Sequence, residues 1–371
     1  MIITKVSADG FKNLKTVEIE FDPVLNIISG ENAQGKTNII EALWLCTGCR
    51  SFRGTKDKDF ININENIARI SLSFKNKLRE QDISIAMSKS NIKDKNITLN
   101  GVPLKMMSKL FGNFQCVIFT PEDLDLAKGS PENRRSYIDL CISQIKLGYA
   151  SVINKYDNII AQRNSLLKSI LQGVSDKHEL DVWDEQLSRL GSYISFLRYN
   201  YTKKLNILSK KLYSEISQGK EQLEIIYNST VFKKLEGRDD YNGEMADEYL
   251  KLLKKTAKED IKSGFTGVGI HRDDLVTKIN EMNSRDFGSQ GQNRSIALIL
   301  KLSQAYILLE ETGEAPVILL DDVLSELDKS RQSFIMSSIE KMQVIITCCN
   351  ADSFQLKKDG KLFVVRNGSI L

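Results

Sequence analysis

The sequence predicts an α/β fold that is interrupted by a mainly helical insertion. Strand patterns fill the first 120 residues and return after residue 264, whereas residues 134–217 carry a helical pattern with few Gly and no Pro. A Gly-rich loop stands between a strand and a helix near the N-terminus, and a buried strand near the C-terminus ends in two aspartates. These observations assign both ends of the chain to one domain and place the helical block between them.

The Gly-rich loop, Gly30–Thr37, fits the phosphate-loop pattern G-x-x-x-x-G-K-[ST]. The apolar run Val24–Ile28 before it predicts a buried strand, and Ile39–Leu45 after it predicts a helix. Backbone N–H groups at a helix N-terminus attract anions. We therefore expect Lys36 to reach the β- and γ-phosphates of a nucleotide and the Thr37 hydroxyl to bind Mg²⁺.

Three further segments in the N-terminal part alternate apolar and polar residues, as half-buried strands do. They are Val17–Phe21, Ile70–Phe74 and Ile83–Met87. Val117–Phe119 is apolar throughout and lies just before Pro121, so it predicts a buried strand that stops near the proline.

An apolar stripe with spacings of three and four residues runs along the helical block. Its members are Leu187, Leu190, Ile194, Leu197, Tyr201, Leu205, Leu208 and Leu212. A weaker stripe covers Tyr149–Leu171, and Gly173–Lys177 separates the two, so we expect an antiparallel helical hairpin. The polar stretch Glu236–Gly243 predicts a linker before a short helix at Met245–Ile261.

The second half of the predicted nucleotide site is Val317–Leu320 followed by Asp321 and Asp322. Four consecutive apolar residues are typical of a strand in a parallel sheet, whose carboxyl end is where such sheets bind ligands. Asp321 is predicted to hold Mg²⁺, through water, and Asp322 to orient or deprotonate the attacking water. A strand that ends in a polar turn is the alternative, and the phosphate loop in the same chain favours the catalytic interpretation.

A second Gly-rich helix start, Gly288–Arg294, precedes a long apolar helical pattern. Ser289 is a suitable N-cap, and Gly291 would let a phosphate approach the backbone. Since the chain already has one phosphate loop, this segment is interpreted either as an ordinary helix cap or as a contact to the nucleotide of another subunit.

These motifs, in this order, resemble the ABC-type ATPase heads of the SMC class, and most closely the RecF family of bacterial repair and recombination proteins. The resemblance runs from end to end of the chain. It is carried by Gly30–Ala42, Ser51–Arg53, Thr120–Leu124, Lys128–Arg135, His271–Leu275, Ser289–Gln292 and Leu320–Asp328.

The resemblance implies an ABC-type ATPase head made of residues 1–120 and 264–371 and an inserted helical arm made of residues 121–263. It further implies a weak, DNA-stimulated ATPase with ATP and Mg²⁺ as cofactors. Such proteins dimerise head to head when ATP is bound, clamp DNA at gaps or junctions, and release it on slow hydrolysis. They act with RecO and RecR partners in recombinase loading, replication-fork restart and SOS induction.

The resemblance also implies roles for particular residues. Ser289, Gly291 and Gln292 would contact the ATP of the partner subunit, Asp328 would lie at the dimer interface, and Glu122 would stand near the metal. Lys12 and Asn13 match an early pair that approaches the nucleotide. The residues implied to bind ATP within one subunit are Gly30, Glu31, Asn32, Ala33, Gln34, Gly35, Lys36, Thr37 and Asn38.

The chain departs from the family pattern at a few positions. Ala33 stands where a Gly is common, and Asp322 stands where many ABC ATPases have Glu, which fits slow hydrolysis. No His follows the strand Val344–Ile346, so the usual switch His is missing and Thr347 is its expected partial replacement. His271–Asp274 is interpreted either as a functional motif or as a turn before a strand.

DNA contacts are predicted from local basic patches, because the formal net charge is only +4. A helix face with Lys residues seven apart could follow phosphates without reading bases, although a solvated face is the alternative. The helix candidates are Arg198, Lys203, Lys204, Lys210 and Lys211, and the candidates near the head are Arg53, Lys56, Lys58, Arg134 and Arg135.

No apolar run approaches 18 residues and Met1–Ser7 has no signal-peptide pattern, so we expect a cytoplasmic protein without a membrane span. Two other function classes share the phosphate loop. An ATPase subunit of a membrane transporter fits the long helical insertion poorly, and a small-molecule kinase would not need the Ser289–Gln292 motif.

Overall fold

The computed structural model describes residues 1–238, 240–349 and 360–371. The chain divides into two compact units, one made of Met1–Asp125 with Arg294–Leu371 and the other of Leu126–Asn293. None of the helices in the described part of the chain is long and apolar enough to span a bilayer.

The first unit contains a six-stranded antiparallel sheet in the order β2-β1-β4-β5-β6-β7. The alternating segments predicted from the sequence form the edge strand β2 and the central strands β4 and β5, whose apolar side chains face one side. Ile70 lies opposite Ile85 and Leu72 opposite Ile83. The strands are β1 Ile2–Asp9, β2 Thr16–Glu20, β4 Ile67–Lys75, β5 Glu80–Ser88, β6 Asn91–Leu99 and β7 Val102–Leu104.

The second sheet of this unit has the order β15-β14-β3-β13-β12-β8 and is parallel from β14 to β8. Its apolar strands are buried, as the uninterrupted runs predict. The strands are β3 Leu25–Ser29, β8 Cys116–Phe119, β12 Val317–Asp321, β13 Val344–Cys348, β14 Lys361–Arg366 and β15 Ser369–Ile370.

Helix α1, Lys36–Leu45, begins where the phosphate loop ends and buries an apolar face that includes Ile39 and Leu43. It contacts β1 of the first sheet and both β12 and β13 of the second. The other helices of this unit are the long α7, Gln290–Thr312, which begins in the second unit, and α8, Lys329–Ser338. Because β3, β13 and β12 are parallel neighbours, the segments after them meet at one edge of the sheet.

The second unit is mainly helical. The hairpin predicted from the two apolar stripes is formed by α3, Tyr149–Leu171, and α4, Leu180–Ile216, which pack against each other. Leu187, Ile194 and Leu205 of the longer stripe are fully buried. The remaining helices are α2 Pro131–Ile145, α5 Gly243–Ser263 and α6 Ser284–Phe287.

A three-stranded antiparallel sheet in the order β11-β10-β9 completes this unit. Its strands are β9 Leu223–Asn228, β10 Asp274–Ile279 and β11 Met282–Asn283. Since β10 pairs with β9, residues 264–293 group with the second unit, whereas the sequence-based division assigns them to the head. The assignment of the two units as head and arm stays a proposal.

Candidate nucleotide-binding site

The phosphate loop turns sharply between β3 and α1. Ala33 and Gly35 both have positive φ, +64° and +117°. A Cβ on Gly35 would lie 2.9 Å from Asn13 Oδ1 and 2.9 Å from Leu14 Cδ2, so only glycine fits there. Ala33 adopts a left-handed conformation that costs a non-glycine residue about 1 kcal/mol, which explains why glycine is common at this position.

The loop presents positive charge and free donors. Lys36 is 4% exposed, and its Nζ donates to the carbonyl oxygens of Gly30 at 2.7 Å and Glu31 at 3.1 Å. Within the described part of the chain, the backbone N–H groups of Gly35, Lys36 and Thr37 have no hydrogen-bond acceptor. An ammonium group beside unpaired N–H donors at a helix start is suited to bind phosphate oxygens.

Asp321 lies at the carboxyl end of β12 and joins the loop to the neighbouring strand. Its Oδ1 accepts hydrogen bonds from Thr37 Oγ1 at 3.1 Å and from Thr347 Oγ1 at 2.7 Å. Burial raises the pKa of the Asp321 carboxyl, while the two threonine hydroxyls act in the opposite direction. A hydroxyl and a carboxylate oxygen this close together fit the oxygen ligands that Mg²⁺ prefers.

Asp322 follows in a left-handed conformation with φ of +51°. Its N–H donates to Thr347 Oγ1 at 3.0 Å, so the buried Thr347 hydroxyl bridges the two aspartates from behind. Of the two aspartates, Asp322 is among the residues that line the cavity over the loop.

A cavity of about 470 Å³ opens over the loop. This volume lies within the range of small-molecule sites in proteins. The residues that line it are Asn13, Asn32, Ala33, Gly35, Lys36, Thr37, Asn38, Arg53 and Asp322.

Several predicted nucleotide ligands lie at the cavity or support it. Asn13 Nδ2 donates to Ala33 O at 3.0 Å, and Asn13 Oδ1 accepts from Asn38 Nδ2 at 2.7 Å, so the side chain holds the loop from the segment after β1. Gln34 is turned toward the C-terminal segment, where its carbonyl oxygen accepts from Gly368 N at 3.0 Å. Arg53, a predicted DNA contact, is also among the residues that line the cavity.

Lys12 binds side chains outside the described lining of the cavity. Its Nζ pairs with the buried Glu41 and donates to Thr55 Oγ1 at 3.1 Å, so its ammonium lies outside the described lining of the cavity. Glu122 is exposed after β8 and also lies outside that lining. The neighbouring Asp123 accepts from Thr120 N at 2.9 Å and pairs with Lys301 at 2.8 Å.

Asp328 caps a helix. Its carboxylate accepts from Arg331 N at 3.0 Å at the start of α8 and also pairs with the Arg331 side chain. The backbone N–H and the guanidinium of Arg331 lower the pKa of Asp328. Asp328 is exposed, so it stays a candidate for an interface with a second copy.

The Ser289–Gln292 segment forms a reciprocal cap at the start of α7. Ser289 Oγ accepts from Gln292 N at 3.2 Å, and Gln292 Oε1 accepts from Ser289 N at 2.7 Å. This is the capping-box arrangement of a Ser followed three residues later by Gln. Ser289 remains exposed and Gly291 half-buried, so the contact to a partner's nucleotide stays a prediction.

Two predicted DNA contacts require correction. Arg198 is 2% exposed and binds Asp139 through Nε and Nη2 at 2.8 and 2.7 Å. Arg134 is 3% exposed and binds Asp274 in the same bidentate way. A guanidinium buried against a carboxylate cannot reach phosphate, so the prediction is wrong for both. Their spacing in the sequence cannot reveal that they point inward.

Arg135 is half-buried, and its Nη1 donates to Asp273 O at 2.9 Å. The predicted lysines of α4 and of the loop after α1 are exposed, as a phosphate-contacting surface requires. Sequence reasoning missed another basic face on α5, whose outward positions repeat at three and four residues. The exposed lysines are Lys56, Lys58, Lys203, Lys204, Lys210 and Lys211, and on α5 Lys251, Lys254, Lys255, Lys258 and Lys262.

The His271–Asp274 motif has a structural role in the second unit. His271 Nδ1 lies 2.9 Å from Tyr156 Oη and Nε2 lies 3.0 Å from Thr266 O. Burial lowers the pKa of His271 to about 4, so the ring is neutral at pH 7. Asp273 accepts from Thr230 N at 2.7 Å and from Tyr227. The motif therefore fixes the turn before β10 to α3, to β9 and to the neighbouring loops.

Comparisons with known proteins match along the whole chain. The family model of the RecF/RecN/SMC N-terminal domain matches residues 2–368. A protein of Clostridium acetobutylicum named DNA replication and repair protein RecF is 40% identical over 372 residues, covering 100% of this chain and 99% of the relative. The protein of the same name from Clostridium tetani is 39% identical over 373 residues, covering 100% of each chain.

Solved structures show the same likeness. One, described as the recombination mediator protein RecF-ATPrS in the RecFOR pathway, has a TM-score of 0.91 at 36% identity and covers 99% of this chain and 97% of that one. Another, described as RecF-ATP, has a TM-score of 0.89 at 37% identity, with coverages of 100% and 97%. An Smc head domain from Pyrococcus furiosus, at 17% identity and a TM-score of 0.54, shares the fold, with coverages of 100% and 95%. The predicted fold class is confirmed by these matches.

Proposed function

Because the chain belongs to the RecF/RecN/SMC N-terminal domain family, we propose that it is an ATP-dependent DNA-binding protein of recombinational repair and replication-fork restart. The observation that carries this proposal is the hydrogen bond from Thr37 to Asp321, at 3.1 Å, next to a cavity of about 470 Å³ that Lys36 and Thr37 line. It joins a phosphate loop to a strand-borne carboxylate. The names of the relatives supply the biological setting.

Within one subunit, Lys36 and the free N–H groups at the start of α1 bind the phosphates. Thr37 and Asp321 hold Mg²⁺, which when bound neutralises phosphate charge. Asp322 orients or deprotonates the attacking water, and Thr347 fixes the turn that aims it into the cavity. An aspartate is shorter than the glutamate common at this position, which supports slow hydrolysis.

A second copy completes the site. Ser289, Gly291 and Gln292 contact the nucleotide of the partner subunit, and Asp328 lies at the interface. ATP then shifts the population toward a head-to-head dimer, and hydrolysis returns it to monomers. The exposure of Ser289 and Asp328 supports this arrangement.

The dimer clamps DNA at gaps or junctions without reading sequence, through exposed lysines such as those of α4. It acts in the cytoplasm with RecO- and RecR-type partners to load recombinase on single-stranded DNA and to support SOS induction. The description of the solved relatives as members of the RecFOR pathway supports the choice of partners.

Sedimentation velocity tests the proposal. The full chain is run without nucleotide, with ADP and with ATP, each with and without a gapped duplex, and Lys36→Ala serves as the binding-deficient control. We expect a dimer only with ATP, with the DNA carried by that dimer and no dimer of the control. A chain that stays monomeric with ATP and DNA bound would overturn the clamp mechanism.

A further inference from the structure

A buried carboxylate behind the nucleotide cavity has no role in the site described so far. Glu41 lies in α1, one turn beyond Thr37, and is 0% exposed. It lies outside the described lining of the cavity. Both of its oxygens are nevertheless engaged, Oε2 by Lys12 Nζ and Oε1 by Ser51 Oγ.

These two bonds anchor both ends of the loop 51–55. Ser51 Oγ, held by Glu41, accepts hydrogen bonds from the backbone N–H groups of Arg53 and Thr55, each at 3.1 Å. At the other end, Lys12 Nζ donates to Thr55 Oγ1 at 3.1 Å. One carboxylate therefore fixes the backbone on either side of the single Arg at the centre of this loop.

Arg53 is the residue that this loop brings to the cavity. Its side chain is 46% exposed, its Nη1 donates to Asn38 Oδ1 at 3.3 Å, and Nη1 lies 4.0 Å from Glu41 Oε2. Asn38 directly follows Thr37, so the guanidinium stands beside the predicted phosphate and Mg²⁺ ligands. A guanidinium in this place is suited to bind phosphate oxygens.

The hydration that Glu41 and Lys12 lose on burial bears on why a charged residue stands at position 41. A buried ion pair loses hydration on both groups and rarely stabilises a fold more than an apolar pair of similar volume does. An apolar residue at position 41 would continue the buried face of α1, but it could not hold Ser51 and Lys12. The charge is therefore better explained by positioning than by stability.

We propose that Glu41 is a positioning residue for ATP binding, which acts by holding Arg53 at the nucleotide cavity. The inference rests on the proposed function of the cavity. Glu41 touches no substrate in this scheme. Its carboxylate orders the loop, and the loop presents the guanidinium to the phosphates.

A double-mutant cycle on the full chain tests the proposal. The variants are Glu41→Gln, Arg53→Ala and the double variant, with the exposed helical Glu310→Gln as a control for loss of one negative charge. The Kd for ATP is measured by isothermal titration calorimetry. We expect Glu41→Gln to raise the Kd about tenfold in the wild-type background and less than about twofold when Arg53 is absent. Glu310→Gln should bind as the wild type does.

The kinetic readout separates positioning from stability. Glu41→Gln should raise KM for ATP while kcat stays within about twofold, since the chemical step is carried by other residues. If the variant unfolds below the assay temperature, Ser51→Ala breaks the same link from the loop side and is judged by the same comparisons. An unchanged Kd, or an equal rise with and without Arg53, overturns the inference. A wild-type chain that binds no ATP instead overturns the proposed function.

Discussion

Asp322 occupies a left-handed backbone conformation at the end of a buried strand, and of the acidic pair it is the residue that lines the cavity. Asp322→Asn keeps the size of the side chain but removes its ability to accept a proton. We expect ATP hydrolysis to fall about 100-fold or more while nucleotide binding persists, because a general base contributes factors of this order. Phosphate release measures the first effect, and ATP-dependent dimers that fail to dissociate would show the second.

Asp247→Asn is the matched comparison, because Asp247 is exposed on α5 and lies outside the described lining of the cavity. It should leave the chemical step of a pre-formed dimer nearly unchanged. Wild-type hydrolysis by Asp322→Asn would remove Asp322 from the catalytic role.

Burial of the Asp321 carboxylate lowers the free energy of unfolding, and its proposed role in holding Mg²⁺ explains why a carboxylate stands there. Burial raises its pKa in the folded chain. Between the ordinary carboxyl pKa and the raised one, the folded state binds more protons than the unfolded state, so the free energy of unfolding falls as pH rises through that window. The cost is present at pH values above the raised pKa and is absent below the ordinary Asp pKa.

Asp321→Asn should therefore raise the melting temperature of the nucleotide-free chain at pH values above the raised pKa. It should also abolish Mg²⁺-dependent nucleotide binding. The gain in melting temperature should shrink as the pH is lowered through the raised pKa. Thermal melting across pH tests the first effect, and a lower melting temperature at pH values above the raised pKa would contradict it.

At this scale, local motifs predicted the loop and the acidic pair because each is contiguous in sequence. The roles of Lys12 and Arg53 could not be predicted in the same way. Lys12 pairs with Glu41, which lies 29 residues later in the sequence. Ser51 donates to the same carboxylate and lies 10 residues after Glu41. Such pairings depend on how three segments meet, which no single-segment pattern contains.

Ser289 at the start of α7 is interpreted either as a helix cap only or also as a contact to a partner's nucleotide. One substitution distinguishes the two interpretations. Ser289 caps the helix through Gln292 N, and aspartate caps a helix as well as serine does. Ser289→Asp should therefore preserve melting temperature, yet its negative charge would repel the phosphates of a partner's nucleotide. We expect ATP-dependent dimerisation in sedimentation equilibrium to be lost.

Ser289→Ala is the control, because it removes the cap at a cost of about 1 kcal/mol without adding charge. A Ser289→Asp variant that dimerises normally with ATP would leave Ser289 as a helix cap only.

The lysine face of α4 leads to a prediction about how DNA binding depends on salt concentration. Lys203 and Lys210 are exposed and seven residues apart, so they share a helix face. If both contact phosphate, the double Ala variant should reduce the slope of log K against log[salt] by about 2 and weaken binding to all sequences alike. Fluorescence anisotropy on a gapped duplex at several salt concentrations measures the slope.

Lys105→Ala with Lys109→Ala gives the matched loss of two exposed lysines in the first unit. An unchanged slope in the Lys203 and Lys210 variant would leave these residues as a solvated face and direct attention to α5.

At the scale of elements, the helical hairpin followed directly from apolar spacing, since α3 and α4 are neighbours in sequence and each covers the other. The small sheet of the second unit could not be predicted from apolar spacing in this way. Leu223–Asn228 alternates as a strand does, but its partner, Asp274–Ile279, lies beyond the whole of α5. Pairing over that distance moves residues 264–293 to the second unit.

At the scale of the whole molecule, the order of motifs predicted the fold class because the phosphate loop and the acidic strand stand near opposite ends of the chain. Only a discontinuous domain can bring them to one sheet edge. The boundaries of that domain depended on a strand pairing that local patterns do not reveal, so they were less predictable than the fold itself.

The placement of β3 has a consequence for synthesis on the ribosome. This strand ends at Ser29 and leads into the phosphate loop, yet it lies between β13 and β14, which begin only at Val344 and Lys361. At a translation rate of roughly 5–20 residues per second, about 15–60 s pass between the synthesis of the phosphate loop and that of β13 and β14. Residues 126–293 are contiguous and emerge complete in the meantime. A nascent chain thus lacks the complete sheet edge under the phosphate loop until β13 and β14 have been made, and a product terminated before β13 cannot form it.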